Sequence, residues 1–325
     1  MRRVRRWLLI CACAIPVGAG AAYWYFLYTP APEVPRLGSS VVYDSIRVRG
    51  LVRSYAFYAP ANLAPGAPLV LALHGSMGNA ERMRRATGYG FERLADRHGF
   101  IVAYPEGYDH HWNDCRKEAS FAARRLGIDD VGYLRALVAR FRSEYGVDST
   151  RIYAVGVSNG GHMIYRLALE APDLVRAVAA VGANMPAAES MECTPVRGRT
   201  SVLILNGTAD PINPYDGGNV TLFGFGNRGR VVSARESAAY FARRNGITDP
   251  STTEQLAQPE PSATSAERTV WSSTAGTEVR LYTIRNGGHT IPQPQARFPR
   301  ILGRTHAALD GPAEIWRFFT RQAVS

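Results

Sequence analysis

The stretch Arg151-Ile-Tyr-Ala-Val-Gly156-Val-Ser158-Asn-Gly160-Gly-His-Met-Ile-Tyr-Arg-Leu-Ala-Leu169 decides how this chain is read. Residues 151–156 form an apolar run of strand length, followed by a turn of small residues and a helical pattern over residues 160–169. A serine on so sharp a strand-to-helix turn is held in a strained backbone conformation that exposes its hydroxyl, and only small neighbours let the chain turn there. The helix behind it aims its amino-terminal dipole at negative charge developing beside the serine. Taken alone, Gly156-Val-Ser158-Asn-Gly160 could be a glycine-rich turn that merely joins two elements, so the flanking sequence has to decide.

Outward from this turn, strands and helices alternate. Upstream, residues 45–49 and 54–58 read as a hairpin, residues 68–74 as a buried strand ending in His74-Gly75-Ser76, and residues 81–98 as a helix. A strand over 100–104 and a helix over 130–145, capped by Asp129, follow. Downstream, strands are expected at 177–181, 201–205 and 279–284, and helices at 234–245 and 313–321. The Pro-, Ser- and Thr-rich residues 249–265 read as a solvated loop. The alternation predicts an α/β fold, a mostly parallel sheet with helices on both faces. There is no internal repeat and no second core, so residues 41–325 are expected to form one catalytic domain.

The 325 residues, 46% hydrophobic and 20% charged with 31 Gly and 20 Pro, exclude a disordered chain, a collagen-like chain and a small disulfide scaffold. Of the 38 basic residues only Lys117 is a lysine, and the net charge of +11 is scattered rather than gathered into a basic helix, an aromatic-basic array or a zinc-spaced motif. No nucleic-acid partner is expected.

The amino terminus is organised differently. Met1-Arg-Arg-Val-Arg-Arg6 precedes an uncharged run over residues 7–28, long enough at about 1.5 Å per residue to cross a hydrocarbon core of about 30 Å. Residues 1–28 are therefore expected to be a membrane anchor, with the arginines cytoplasmic and Tyr23, Trp24, Tyr25 and Tyr28 at the outer interface, or else a signal segment cleaved near Ala19-Gly20-Ala21. Residues 29–40, with Pro30, Pro32 and Pro35, read as a linker. Both readings place the domain on the periplasmic or extracellular side, anchored to the membrane or secreted.

An α/β-hydrolase presents its nucleophile, acid and histidine in the order Ser, Asp, His, the last two in loops at strand ends. Asp210 follows the strand at 201–205 in Asn206-Gly-Thr-Ala-Asp210-Pro, and His289 follows the strand at 279–284 in Asn286-Gly-Gly-His289. Asp216 is the competing acid, farther from its strand and read as a turn residue, while an aspartate before proline can also serve only to start a turn. His306 has no strand to position it. A tetrahedral intermediate also needs donors, and the loop after the strand at 68–74 supplies the backbone N–H of Ser76 to join that of Asn159 as an oxyanion hole. His74 is expected to pack under that loop as a structural group.

The segments Leu73-His-Gly-Ser76, Trp112-Asn113, Asp129-Asp-Val-Gly-Tyr-Leu134, Gly156 to Met163, Gly207 through Asp210 to Gly218, Gly287-Gly-His289 and Ile315-Trp-Arg-Phe-Phe319 occur in that order. Over residues 45–320 the chain thereby resembles the polyhydroxybutyrate depolymerase and feruloyl/acetylxylan esterase group of the α/β-hydrolases. The resemblance implies Ser158, Asp210 and His289 as triad, and Trp112 and Asn113 near the acyl site, against the reading of a buried tryptophan as core. Two departures stand out: Ile291 follows the histidine where the family often carries tryptophan, and no cysteine follows Arg244-Asn-Gly246.

Only residues 182–200 separate two strands where related folds insert a helical cap, so no large cap is expected. Nor is there room for a separate polymer-binding domain. Cys115 and Cys193, both in loops, are a candidate disulfide for an oxidising compartment, the alternative being two free thiols. The resulting expectation is an exported serine esterase acting through an acyl-enzyme on short-chain, aryl (feruloyl) or hydroxyalkanoate esters, without a metal or organic cofactor. A peptidase or acyltransferase on the same fold, or an anchored non-catalytic binding protein, are the alternatives.

Overall fold

The computed structural model describes residues 20–258, 262–273 and 276–322. Its centre is a set of short apolar segments, β3 (Leu69–Leu73), β4 (Ile101–Pro105), β5 (Ile152–Val157), β6 (Ala177–Val181) and β7 (Ser201–Gly207), buried along nearly their whole length. Strands without a polar side must be covered on both faces. β3 pairs in parallel with β4 and β5, and the parallel run continues through β6 and β7 to β12 (Glu278–Arg285). At one edge the hairpin β1 (Val42–Val48) and β2 (Leu51–Tyr58) joins antiparallel to β4. At the other, β11 (Ser265–Ser272) and β10 (Thr252–Gln255) extend β12 antiparallel. The sheet order is β1-β2-β4-β3-β5-β6-β7-β12-β11-β10, and a small ribbon of β8 (Gly218–Asn219) and β9 (Arg230–Val231) lies apart.

Period-two alternation divides the core. Leu71 and Leu73 belong to one buried cluster and Val70 and Ala72 to the other. The first cluster is closed by α4 (Asp130–Tyr145), α5 (Asn159–Glu170) and α6 (Ala234–Arg244) through Leu137, Met163 and Phe241. The second is closed by α1 (Ala80–Ala86), α2 (Gly90–His98) and α7 (Gly311–Arg321) through Met83, Leu94 and Phe319, with Trp316 stacked on Phe100 at 3.9 Å. A single turn, α3 (Ala122–Arg125), lies before α4. α4 matches its sequence signals: the Asp129 carboxylate accepts from the Gly132 N–H at 2.8 Å, and Gly146 closes the helix in the left-handed region. Among the described residues no cap domain covers the sheet; residues 182–200 carry only the 3₁₀ turn Ala188–Ser190.

Three expectations need correction or qualification. The helix expected over 81–98 is two helices, because Gly88 and Tyr89 adopt φ of +57° and +56°, and two successive left-handed residues end an α-helix. Residues 249–265 are not wholly loop: β10 pairs there with β11. Its residues Thr-Thr-Glu-Gln are all exposed, so this edge strand has backbone pairing but none of the apolar alternation that marks a strand in a sequence. Residues 29–40 lack a regular element, yet the end of the segment is docked: the Gly38 N–H donates to Asp96 at 3.1 Å and the Ser39 N–H to the Tyr58 hydroxyl at 3.1 Å.

Residues 1–19, on which most of the anchor or signal reading rests, lie outside the described residues. The remainder of that apolar run forms a π-helical turn, Tyr23–Leu27, with exposed side chains, and the Arg300 guanidinium lies 4.4 Å from the Tyr25 ring centre. Among the described residues no helix is long and apolar enough to cross a membrane.

Candidate active site

β5 ends at Val157 and α5 begins at Asn159, leaving Ser158 alone between them at φ +55° and ψ −119°. A residue with a Cβ held there costs about 1–3 kcal/mol and persists only if its surroundings over-determine it. They do so here. The Ser158 N–H donates to the Val181 carbonyl at 2.8 Å and the Ser158 carbonyl accepts from the His162 N–H at 2.9 Å. A Cβ on Gly160 would lie 2.5 Å from the carbonyl oxygens of both Leu73 and His74, so glycine lets the first turn of α5 press against the end of β3.

The loop after β7 carries Asp210. Its Oδ1 accepts from the backbone N–H of Ile212 and Asn213, both at 2.8 Å, and its Oδ2 faces His289 Nδ1 at 2.6 Å. Asp210 therefore starts a turn and also binds the histidine, one oxygen for each task. The His289 loop is itself pinned, with the Gly288 N–H on Arg304 O at 2.8 Å and the His289 N–H on Leu302 O at 2.6 Å. The Asp210 side chain is 1% exposed and that of His289 9%. Asp216 is exposed, and His306 is buried elsewhere against Thr264.

No hydrogen bond joins Ser158 to His289 among the described residues. The Val181–Gly182 step ties them together: Val181 O holds the Ser158 N–H, and a Cβ built on Gly182 would lie 3.0 Å from His289 Cε1. Gly182 has φ +60°, so both its backbone and its neighbour exclude a side chain. Across from it, a Cβ on Gly75 would lie 3.3 Å from Ser158 Cβ, which brings the His74-Gly75-Ser76 loop against the serine. Gly75, Ser76 and Ser158 are half-buried, and His289, though mostly covered, keeps part of its surface within reach of solvent. Among the described residues, neither the Ser76 nor the Asn159 N–H donates to a protein acceptor; that of Asn159 is one of the unpaired donors at a helix start.

Behind this surface lies a buried polar frame. His74 Nδ1 donates to Gly75 O at 2.7 Å and Nε2 accepts from the Gly107 N–H at 3.0 Å, an arrangement that suits the neutral ring; burial brings its pKa down to about 4. Trp112 has no exposed surface: its indole N–H donates to His74 O at 2.9 Å. Asn113 donates from its amide to Ile128 O at 2.9 Å, while its backbone N–H is held by Asp130 at 2.7 Å. Trp112 is thus wholly buried and Asn113 nearly so, both packed into the loop that contacts His74 and Asn159. Cys115 and Cys193 are bonded, which joins this loop to the one before β7. Ile291 is buried in the second core cluster.

Sequence reasoning missed Asp114, Arg116 and His162. Asp114 and Arg116 form a buried ion pair at 2.6 Å beside Asn159. Burial alone would raise the Asp114 pKa, but the Arg116 charge and hydrogen bonds outweigh it and hold the carboxylate below its ordinary range. His162, completely buried one helical turn after Ser158, is pushed well below the ordinary imidazole range by burial and then by the Arg116 charge. The Asp114–Arg116 pair is local, but its link to Asn159 spans 45 residues and leaves no periodicity, and nothing in the sequence shows that His162 is buried.

The sheet order, the serine elbow and an acid–histidine pair at the ends of β7 and β12 define an α/β-hydrolase. Within that class the chain belongs to the esterase PHB depolymerase family, which matches residues 53–258. Membership places it among carboxylic ester hydrolases, as the motif resemblance implied. A protein of Nocardia uniformis subsp. tsuyamanensis named as an esterase, NocK, is 32% identical over 296 residues, covering 87% of this chain and 83% of its own length. The poly(3-hydroxybutyrate) depolymerase of Ralstonia pickettii is 31% identical over 56% of this chain and 38% of its own length. Acetylxylan esterase A of Aspergillus oryzae is 31% identical over 54% of each chain. Among solved structures, an acetyl xylan esterase from Aspergillus awamori superposes with a TM-score of 0.58 at 16% identity over 86% of this chain and 99% of its own, a likeness of fold.

Proposed function

We propose that this chain is an exported serine esterase that works through an acyl-enzyme. Ser158 attacks the ester carbonyl, His289 takes its proton, and Asp210 orients the ring and stabilises the imidazolium. The backbone N–H groups of Ser76 and Asn159 receive the negative charge of the tetrahedral intermediate. The alcohol leaves with the proton from His289, and water attacks the acyl-enzyme with His289 again as base. The observation that carries this reading is the 2.6 Å contact of His289 Nδ1 with Asp210, adjacent through Gly182 to a serine held at φ +55°. Such a contact leaves Nε2 free to face the serine, and hydrogen bonds of this kind tighten when substrate binds.

The substrate class follows from what covers the site. Among the described residues no cap covers the site, which leaves little apolar surface for a long acyl chain, and each methylene left in water forfeits about 0.8 kcal/mol. Short-chain, aryl or hydroxyalkanoate esters with a bulky alcohol side suit such a site, and the names of the acetylxylan esterase and hydroxybutyrate depolymerase relatives support that range. The Cys115–Cys193 bond supports an oxidising compartment, hence export. Residues 41–325 are proposed as the catalytic domain and residues 1–28 as the exporting or anchoring segment.

The test is kcat/KM along a p-nitrophenyl series from acetate to palmitate, with a feruloyl ester, a hydroxybutyrate oligomer and a peptide anilide alongside, and labelling of Ser158 by a fluorophosphonate. A maximum at short or aryl esters is expected. A maximum at palmitate, faster cleavage of the anilide, or labelling at another residue would overturn the reading.

A further inference from the structure

Asn159 has two parts with different surroundings. Its backbone N–H, next to Ser158, has no protein acceptor among the described residues, whereas its carboxamide is clamped: Oδ1 accepts from the Trp112 N–H at 2.8 Å, and Nδ2 donates to Trp112 O at 3.1 Å and to Asp114 Oδ2 at 2.7 Å. Asn159 is 1% exposed, so this clamp has no competing water. Asp114 is held just as firmly. Its Oδ1 accepts from the Arg116 backbone N–H at 2.8 Å and from Arg116 Nε at 3.1 Å, and its Oδ2 accepts from Arg116 Nη2 at 2.6 Å.

The loop that carries Asp114 is fastened on both sides. Between Asp114 and Arg116 stands Cys115, bonded to Cys193, with the Glu192 N–H on Cys115 O at 2.9 Å and the Lys117 N–H on Ser190 O at 2.9 Å. Arg166, from α5 itself, donates to Asn113 O at 2.7 Å. A helix start is free to rock by a few tenths of an ångström, and an oxyanion donor that rocks loses much of its value. The links from Cys193 through Cys115 and Asp114 to Asn159 remove that freedom.

We propose that Asp114 is a positioning residue for ester hydrolysis: through the Asn159 carboxamide it holds the Asn159 backbone N–H at the site of the developing oxyanion, with Arg116 orienting the carboxylate. This rests on the triad and oxyanion reading above. The consequence is a contribution that appears in the transition state and not in ground-state binding, because the ester carbonyl needs the donor most when it carries charge.

The test compares two double variants that both lack the buried ion pair. Asp114→Asn with Arg116→Met keeps an acceptor oxygen for Asn159 Nδ2, and Asp114→Leu with Arg116→Met removes it. The expected result is a kcat for the leucine variant at least tenfold below that of the asparagine variant, KM within about twofold, and a parallel weakening of a trifluoromethyl ketone that forms a tetrahedral adduct. Asn159→Ala leaves the ion pair intact, and is expected to lose kcat by about tenfold to a hundredfold with the same signature, so the proposal stays exposed to failure if the leucine variant does not fold. Equal kcat in the two double variants, or an Asn159→Ala protein with wild-type kcat, overturns it. Failure of the parent reading looks different: wild-type protein would then show no fluorophosphonate adduct at Ser158, whereas failure of the positioning role alone leaves wild type and all variants labelled at one rate.

Discussion

His289 Nδ1 stands 2.6 Å from Asp210 Oδ2, while the other oxygen of the same carboxylate is fixed by the backbone N–H groups of Ile212 and Asn213. The acid is thus oriented before it meets the histidine, and the local turn that an Asp-Pro sequence favours is also what aims it. If this pair orients a base for Ser158, Asp210→Asn should lower kcat by several orders of magnitude, because the amide can hold the ring in the wrong tautomer. Asp216→Asn, at an exposed position, should stay near wild type. The reverse outcome in a p-nitrophenyl acetate assay would transfer the role to Asp216.

Ser158→Ala and His289→Ala should each remove nearly all hydrolysis while the protein stays folded. Residues that act as one unit are not additive, so the double variant should lose little more than either single one. Circular dichroism and single-turnover assays on the three proteins check this, and a tenth of wild-type activity in Ser158→Ala would exclude Ser158 as nucleophile.

Gly182→Ala tests the contact between the β6 end and the histidine. The new methyl would lie 3.0 Å from His289 Cε1 at a residue with φ +60°. The left-handed backbone alone costs about 1–2 kcal/mol, and the crowding must move the ring. We expect a modest fall in the denaturation midpoint and a fall in kcat well beyond it; wild-type kcat would mean that the ring does not need its present place.

Replacing Cys115 and Cys193 together by serine opens a loop of sequence separation 78. In the chain-entropy picture this destabilises the fold by about 4 kcal/mol, read as a lower urea midpoint with a somewhat steeper slope, because the uncrosslinked unfolded chain exposes more surface. A midpoint equal to that of the wild type would show that the loops are held by their other contacts alone.

Acid should destabilise the protein in a defined window. The His74 ring titrates at about 4 in the fold against 6.5 in its ordinary state, so between those values the unfolded chain binds more protons. The neutral ring's contribution is therefore complete above pH 6.5 and is lost as pH falls toward 4, a change on the order of 3 kcal/mol. His162, also held below its ordinary range, acts in the same direction. Urea titrations at pH 7, 5.5 and 4 should show the decline, and His74→Gln should make it shallower; an unchanged slope would mean that the folded protein protonates His74.

The sequence by itself determined the alternation of strands and helices, the serine elbow, and the loops that bear Asp210 and His289. Each of these is a short-range property: apolar periodicity, small residues at a sharp turn, a cap such as Asp129. It also offered Cys115 and Cys193 as a candidate pair, but left two free thiols as the alternative. The tertiary structure decided which carboxylate faces His289 across a separation of 79 residues, and it buried Trp112 completely with its indole N–H on His74 O. It revealed that Asn159 is clamped by Asp114 from 45 residues away, and that polar β10 is a strand because β11 offers it an edge. Contacts of that kind leave no trace in local pattern, since their energy comes from groups brought together only when the sheet is assembled and water is excluded from between them.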